Sequence, residues 1–226
     1  MFTLDPYTVK AVEYLTGIAF LVLFVAFWRY VNGEGVPAAA RAWSGRLADW
    51  FTIPDRLFFH RGHAWARMDG GDVVTLGLDD FAEQLVGPID AVDLPARGAV
   101  LNAGAPAWTL RAAGKALDMV APLGGTVLAV NEAVSTQPDL VNRDPYGKGW
   151  LVKLQVPRVG TAVKDLVTGK AARAWMDRVA DELTASMNPE LGHLMQDGGM
   201  PVHGIARGID EAHWDEVARR FLRGQE

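Results

Sequence analysis

Through the middle of the chain, apolar and polar residues alternate in short runs separated by turn formers, which is the pattern of half-buried β-strands. Residues 58–68 read as a strand entry, Asp69-Gly70-Gly71-Asp72 as a hairpin turn, and residues 73–78 as the return strand. A short helix follows over 79–87, with Asp79 as its N-cap and Phe81, Leu85 and Val86 on its apolar side. Residues 88–94 read as a strand, Pro95-Ala96-Arg97-Gly98 as a turn, and Trp150 to Leu154 as a further alternating strand. Before that strand, Asn131 to Gly149 reads as a strand end, a polar connection and a tight turn, with Pro145 fixing φ.

The stretch 108–119 predicts a hairpin with its own register. If Ala113-Gly114 form a two-residue turn, Ala112 faces Lys115, Leu110 faces Leu117 and Trp108 faces Met119. Every large apolar side chain then lies on one face, with Thr109, Arg111 and Asp118 on the other. Lys115 falls on the apolar face, beside the apex and not at it.

The two ends follow other periods. Fifteen uncharged residues run from Tyr14 to Trp28 between Glu13 and Arg29. With Arg29 snorkelling, the apolar run reaches about eighteen residues, or roughly 27 Å of helix, against a bilayer core of about 30 Å. A buried core helix and a cleaved signal peptide are the competing explanations. The first would have little to pack on, and for the second Ala38-Ala39-Ala40 lies too far on. The expectation is an N-terminal transmembrane anchor and link over 1–35. Lys10 precedes the span while Arg29, Arg41 and Arg46 follow it, so the positive-inside rule places the globular part in the cytoplasm, in a single pass of the inner membrane.

Residues 36–51 form a juxtamembrane amphipathic segment, with Ala42, Trp43, Leu47 and Trp50 at helical spacing. At the other end, Thr161 to Met187 reads as one long helix kinked near Gly169, with an apolar stripe of Val163, Leu166, Val167, Ala171, Ala174, Trp175, Val179 and Leu183. Asp210 to Leu222 reads as a second helix, capped by Asp210, with acids early and bases late.

Charge and composition narrow the function. A net charge of −5 argues against a nucleic-acid binder, and the absence of cysteine removes disulfides, thiol catalysis and Cys-ligated metals. His60 and His63 fall on opposite faces of a strand, and His193, His203 and His213 are spaced through the tail without a metal-site pattern. No phosphate loop or nucleophile elbow is present, so the chain is not expected to be an enzyme.

Several runs resemble the H protein of the glycine cleavage system. Asn131-Glu132-Ala133 continues through Leu140-Val141-Asn142 to Asp144-Pro145-Tyr146-Gly147 and Gly149-Trp150-Leu151, and His63 and Trp65 stand where the family opens its domain with His-Glu-Trp. Ala64 replaces that glutamate. The resemblance covers roughly 54–154 and implies the barrel-sandwich hybrid of lipoyl and biotinyl carriers, two small antiparallel sheets face to face, within a domain over 52–157. It also implies lipoate on a hairpin-tip lysine in a Glu-Ser-x-Lys-Ala setting, and docking on several enzymes in turn. Ungapped alignment from Gly98 to Pro122 puts that lysine position on Gly114 and the glutamate position on Arg111, with Lys115 one residue late.

The expected fold is mainly β with α additions: this barrel-sandwich domain, one N-terminal transmembrane helix and a helical C-terminal extension over 158–226. The expected function is a membrane-anchored, non-catalytic interaction or assembly subunit of a membrane-associated complex, redox complexes included, with no cofactor. The alternative is a lipoyl carrier of a glycine-cleavage-like or sulfur-transfer system with lipoate on Lys115. A third reading is a ligand-binding module using the cleft between domain and tail. The extension either covers the sheet domain or docks protein partners through Met195, Met200, His203 and Trp214.

Overall fold

The computed structural model describes residues 47–187 and 203–223, together with scattered helical positions between Lys10 and Phe24. Residues Ser44–Glu226 make one compact unit and Met1–Trp43 another. No helix among the described residues is long and apolar enough to cross a membrane. Most of the proposed 1–35 anchor, and residues 36–46 of the amphipathic segment, lie outside the described residues.

In the larger unit, strands β1 (Phe58–His60), β2 (Ala64–Gly70) and β3 (Val73–Leu78) form an antiparallel meander. Helix α1 (Asp80–Val86) follows, then β4 (Ala91–Asp93), β5 (Val100–Leu101), β6 (Pro106–Ala112), β7 (Lys115–Val120) and β8 (Gly125–Val130). Helices α2 (Glu132–Thr136) and α3 (Leu140–Arg143) lead to β9 (Val152–Gln155). A short α4 (Val159–Ala162) leads to β10 (Val167–Thr168), and α5 (Gly169–Ser186), α6 (Ile205–Ile209) and α7 (Trp214–Leu222) complete the described chain.

The strands form a seven-stranded sheet in the order β10-β1-β2-β3-β9-β8-β5 and a three-stranded sheet in the order β4-β6-β7. Alternation explains both. Trp65, Leu76, Leu78, Val127 and Leu154 are buried on the larger sheet and Trp108, Leu110, Leu117 and Met119 on the smaller one, within a continuous mainly-β core. The sandwich packs tightly at Gly77, where an added Cβ would lie 2.6 Å from the Trp65 ring.

The run 131–151 holds the core's periphery. The Asn131 amide donates to the carbonyls of Lys148 and Trp150 at 2.7 and 2.6 Å, and its oxygen caps α2. Asn142 donates to Glu83 Oε2 and the Gly87 carbonyl and accepts from Ile89 N. The Tyr146 hydroxyl accepts from Asp80 N and donates to the Thr52 carbonyl, while Trp65 Nε1 donates to the Pro145 carbonyl. Together these bonds lock α1 to the sheet. They also form two helical turns where the sequence suggested only a polar connection.

Three expectations need correction. The strand read over 88–94 is confined to Ala91–Asp93. The long helix read from Thr161 starts only at Gly169, because Phe58 and Phe59 pair with Thr168 and Val167 and draw that segment into the sheet. Gly169, at φ +55°, then turns the chain into α5, whose buried face is Ala172, Trp175, Met176, Ala180 and Leu183, while Ala171 and Ala174 are exposed. The final helix starts at Trp214 and not Asp210. Asp210 instead accepts from the amides of Ala212 and His213 in the turn between α6 and α7.

Candidate functional site

The β6–β7 hairpin has the register that its sequence implied, with Ala112 opposite Lys115, Leu110 opposite Leu117 and Trp108 opposite Met119. Ala113 and Gly114 both adopt positive φ, at 46° and 75°, as a two-residue turn with right-handed strand twist requires. Gly114 meets nothing where a side chain would begin, so the apex projects into open space. Along β7, Lys115, Leu117 and Met119 share the more buried face and Ala116 and Asp118 the exposed one.

The Lys115 ammonium is taken up by the C-terminal segment. Nζ donates to the Ala212 carbonyl at 2.6 Å, pairs with Asp215, and sits 5.9 Å from the centre of the Trp214 ring. Arg219 bridges the same helix and strand, reaching Asp215 Oδ2 at 2.6 Å and the Ala116 carbonyl at 3.1 Å. The hydrogen bond from Lys115 is the main reason the Asp215 carboxyl sits below the usual aspartate range. Trp214, at 2 % exposure, is part of the core, which corrects its assignment as a docking residue. Its apolar ring is drawn inward because α7 packs over β7 and α1.

The segment is fixed at further points. Gly204 N donates to the Gln84 carbonyl, Arg207 to the Val86 carbonyl, and Phe221 packs 5.9 Å from Phe81. His203 is exposed and its Nδ1 lies 3.8 Å from Glu83 Oε2. Met195 and Met200 lie outside the described residues. The sequence carries little sign of the Asp215–Lys115 clasp. The only signal for it was the i,i+4 spacing of Asp215 and Arg219, which by itself reads as an ordinary helix-surface pair.

Behind the hairpin, Asp79 caps α1 by accepting from Ala82 N, and its other oxygen lies 2.9 Å from His63 Nδ1, both residues being buried. His60 accepts from Gly62 N instead, so the two histidines do different local jobs. Among the described residues no group of acids and histidines could hold a metal. Glu83 is buried beside Asp80 and Asp79, and desolvation pushes its carboxyl up to about 8 despite the bond from Asn142.

The glycine cleavage H-protein family model matches residues 57–179. The chain belongs to that family. Among curated relatives, a glycine cleavage system H protein from Bacteroides thetaiotaomicron is 38% identical over 122 residues, covering 54% of this chain and 95% of its own length. One from Thermosynechococcus vestitus is 43% identical over 112 residues, 50% of this chain and 87% of its own length. A solved H protein from Mycobacterium marinum superposes with TM-score 0.47 and 28% identity over 54% of this chain and 96% of its own. The family match ends within α5, so α7 and the turn before it, which hold Lys115, lie beyond it.

A lipoyl group on Lys115 can be tested against these contacts. An amide at Nζ would remove the positive charge that faces Asp215 and the Ala212 carbonyl. The ion pair with Asp215 and an acyl group on Nζ therefore exclude one another.

Proposed function

We propose that this H-protein family member is a non-catalytic carrier-fold subunit that docks protein partners, with its hairpin covered by its own C-terminal segment. One observation carries the reading: the lysine nearest the apex is held by Asp215 and the Ala212 carbonyl, and the apex itself is Ala113-Gly114. A swinging arm needs a freely presented amine, and a protein scaffold does not. The apolar run near the N-terminus supports, from sequence alone, attachment of this subunit to a membrane. Co-purification after mild detergent extraction tests the reading. Recovery of a stoichiometric partner is expected, and a lone chain at high yield would count against it.

A second reading has a specific observation in its favour. Membership of the H-protein family favours a lipoyl carrier, and Lys115 is one residue from the apex with its side chain about one-third exposed, at 32%. In that reading the C-terminal segment must release Lys115 before acylation.

A further inference from the structure

The turn between β1 and β2 is built with unusual constraint. His63 is a buried, non-glycine residue at φ 58°, a conformation that costs on the order of 1 kcal/mol and persists only where the surroundings impose it. Gly62 is wedged between β7 and α7: an added Cβ would lie 2.7 Å from Val120 Cγ2 and 3.1 Å from the Leu222 carbonyl. Arg61 and His63 are therefore presented from a rigid corner. They form one wall of a cleft of about 300 Å³, whose other wall is Trp175, Arg178, Val179 and Glu182 of α5 and Phe221 of α7.

The chemistry of this cleft is asymmetric. Glu182 accepts from Arg220 at 3.3 Å, a solvent-exposed contact that leaves its negative charge on the cleft wall. Among the described residues, Arg178 spends only Nε, on the Ala174 carbonyl of its own helix, and Arg61 makes no hydrogen bond or ion pair. Two exposed guanidiniums thus face one small space with most of their donors unused. The floor is aromatic: the His63 ring stacks on Phe81 at 4.2 Å and lies 4.9 Å from Trp175. With Nδ1 committed to Asp79, Nε2 is the nitrogen that His63 has left for a ligand.

We infer that this cleft binds a small organic carboxylate with a flat apolar body. The carboxylate engages the forks of Arg61 and Arg178 and the body lies against Trp175 and Phe221. Planar guanidinium forks match a carboxylate's two oxygens. Glu182 on the same wall disfavours a dianion such as a phosphate monoester, and a volume of about 300 Å³ sits at the small end of ligand sites. The site lies between the family domain and its helical extension, and it does not depend on whether Lys115 carries a cofactor.

The test is calorimetric titration of the full-length chain with benzoate, and with benzamide and phenyl phosphate as the neutral and dianionic counterparts. Benzoate is expected to bind at least about tenfold more tightly than either, the discrimination typical of one charge-assisted contact. Arg61→Gln and Arg178→Gln are each expected to weaken benzoate by about tenfold with unchanged melting temperature, while Arg97→Gln, in the turn before β5, leaves it unchanged. Absence of benzoate binding, equal binding of benzamide, tighter binding of phenyl phosphate, or indifference to both cleft arginines would each overturn the assignment.

Discussion

The ammonium of Lys115 and the carboxylate of Asp215 meet across 100 residues of chain, tying the apex of the β6–β7 hairpin to the helix that ends the described structure. An ion pair at the surface adds little stability by itself. Here its consequence is positional, because it occupies the amine closest to the apex. Asp215→Asn should therefore raise the rate of Lys115 acylation by an amine-reactive probe several-fold relative to Lys170, on the far side of β10. Peptide mass mapping reads this out, and an unchanged Lys115 rate would show that the pair does not restrain the side chain.

Glu83 makes stability depend on pH. Its folded pKa, about 8, lies above the ordinary glutamate value of about 4.5, so the native state holds a proton that the unfolded chain has released over that window. The contribution is complete below about pH 4.5 and is lost as pH rises through about 8. Glu83→Gln keeps an uncharged side chain at every pH, so it should stabilise the fold by on the order of a few kcal/mol at pH 8.5 and by little at pH 5. Urea melts at the two pH values test this. Equal effects would mean that Glu83 is ionised in the native state.

Ala113 adopts φ 46° at the first position of a two-residue turn that favours Asn-Gly. Ala113→Asn should stabilise the hairpin by about 0.5–1 kcal/mol without altering its register. Denaturant unfolding measures the gain, and a loss of stability would contradict the turn geometry.

Gly77 faces Trp65 across the β2–β3 pair, and a methyl group there overlaps the indole at 2.6 Å. Gly77→Ala should cost about 1–3 kcal/mol through overpacking. Thermal melting reads this directly, and a neutral substitution would mean that Trp65 is not seated where the fold puts it.

Much of this architecture was legible in the residues. The β6–β7 register followed from face consistency and the two-residue turn together, since a one-residue slip would put Leu110 and Leu117 on opposite sides of the sheet and a two-residue slip would lose the Ala113-Gly114 turn. Asp79 was legible as a cap because its side-chain chemistry acts within three residues. The beginning of α5 was not. Val163, Leu166 and Val167 fit a helical stripe as well as an edge strand, and only pairing with Phe58 and Phe59, more than a hundred positions earlier, decides between them. The contacts of Lys115 were hidden for the same reason. Its partners Ala212 and Asp215 sit in the extension, where neither local propensity nor the family pattern places them.

On the proposed reading, the Ala113-Gly114 apex offers no amine to acylate and the neighbouring Lys115 stays engaged with Asp215. Intact-mass analysis of the full chain, produced in a host that lipoylates its own carriers, tests this most directly. The account predicts the unmodified mass; a mass increase of one lipoyl group, mapped to Lys115, would contradict it and make the chain a carrier.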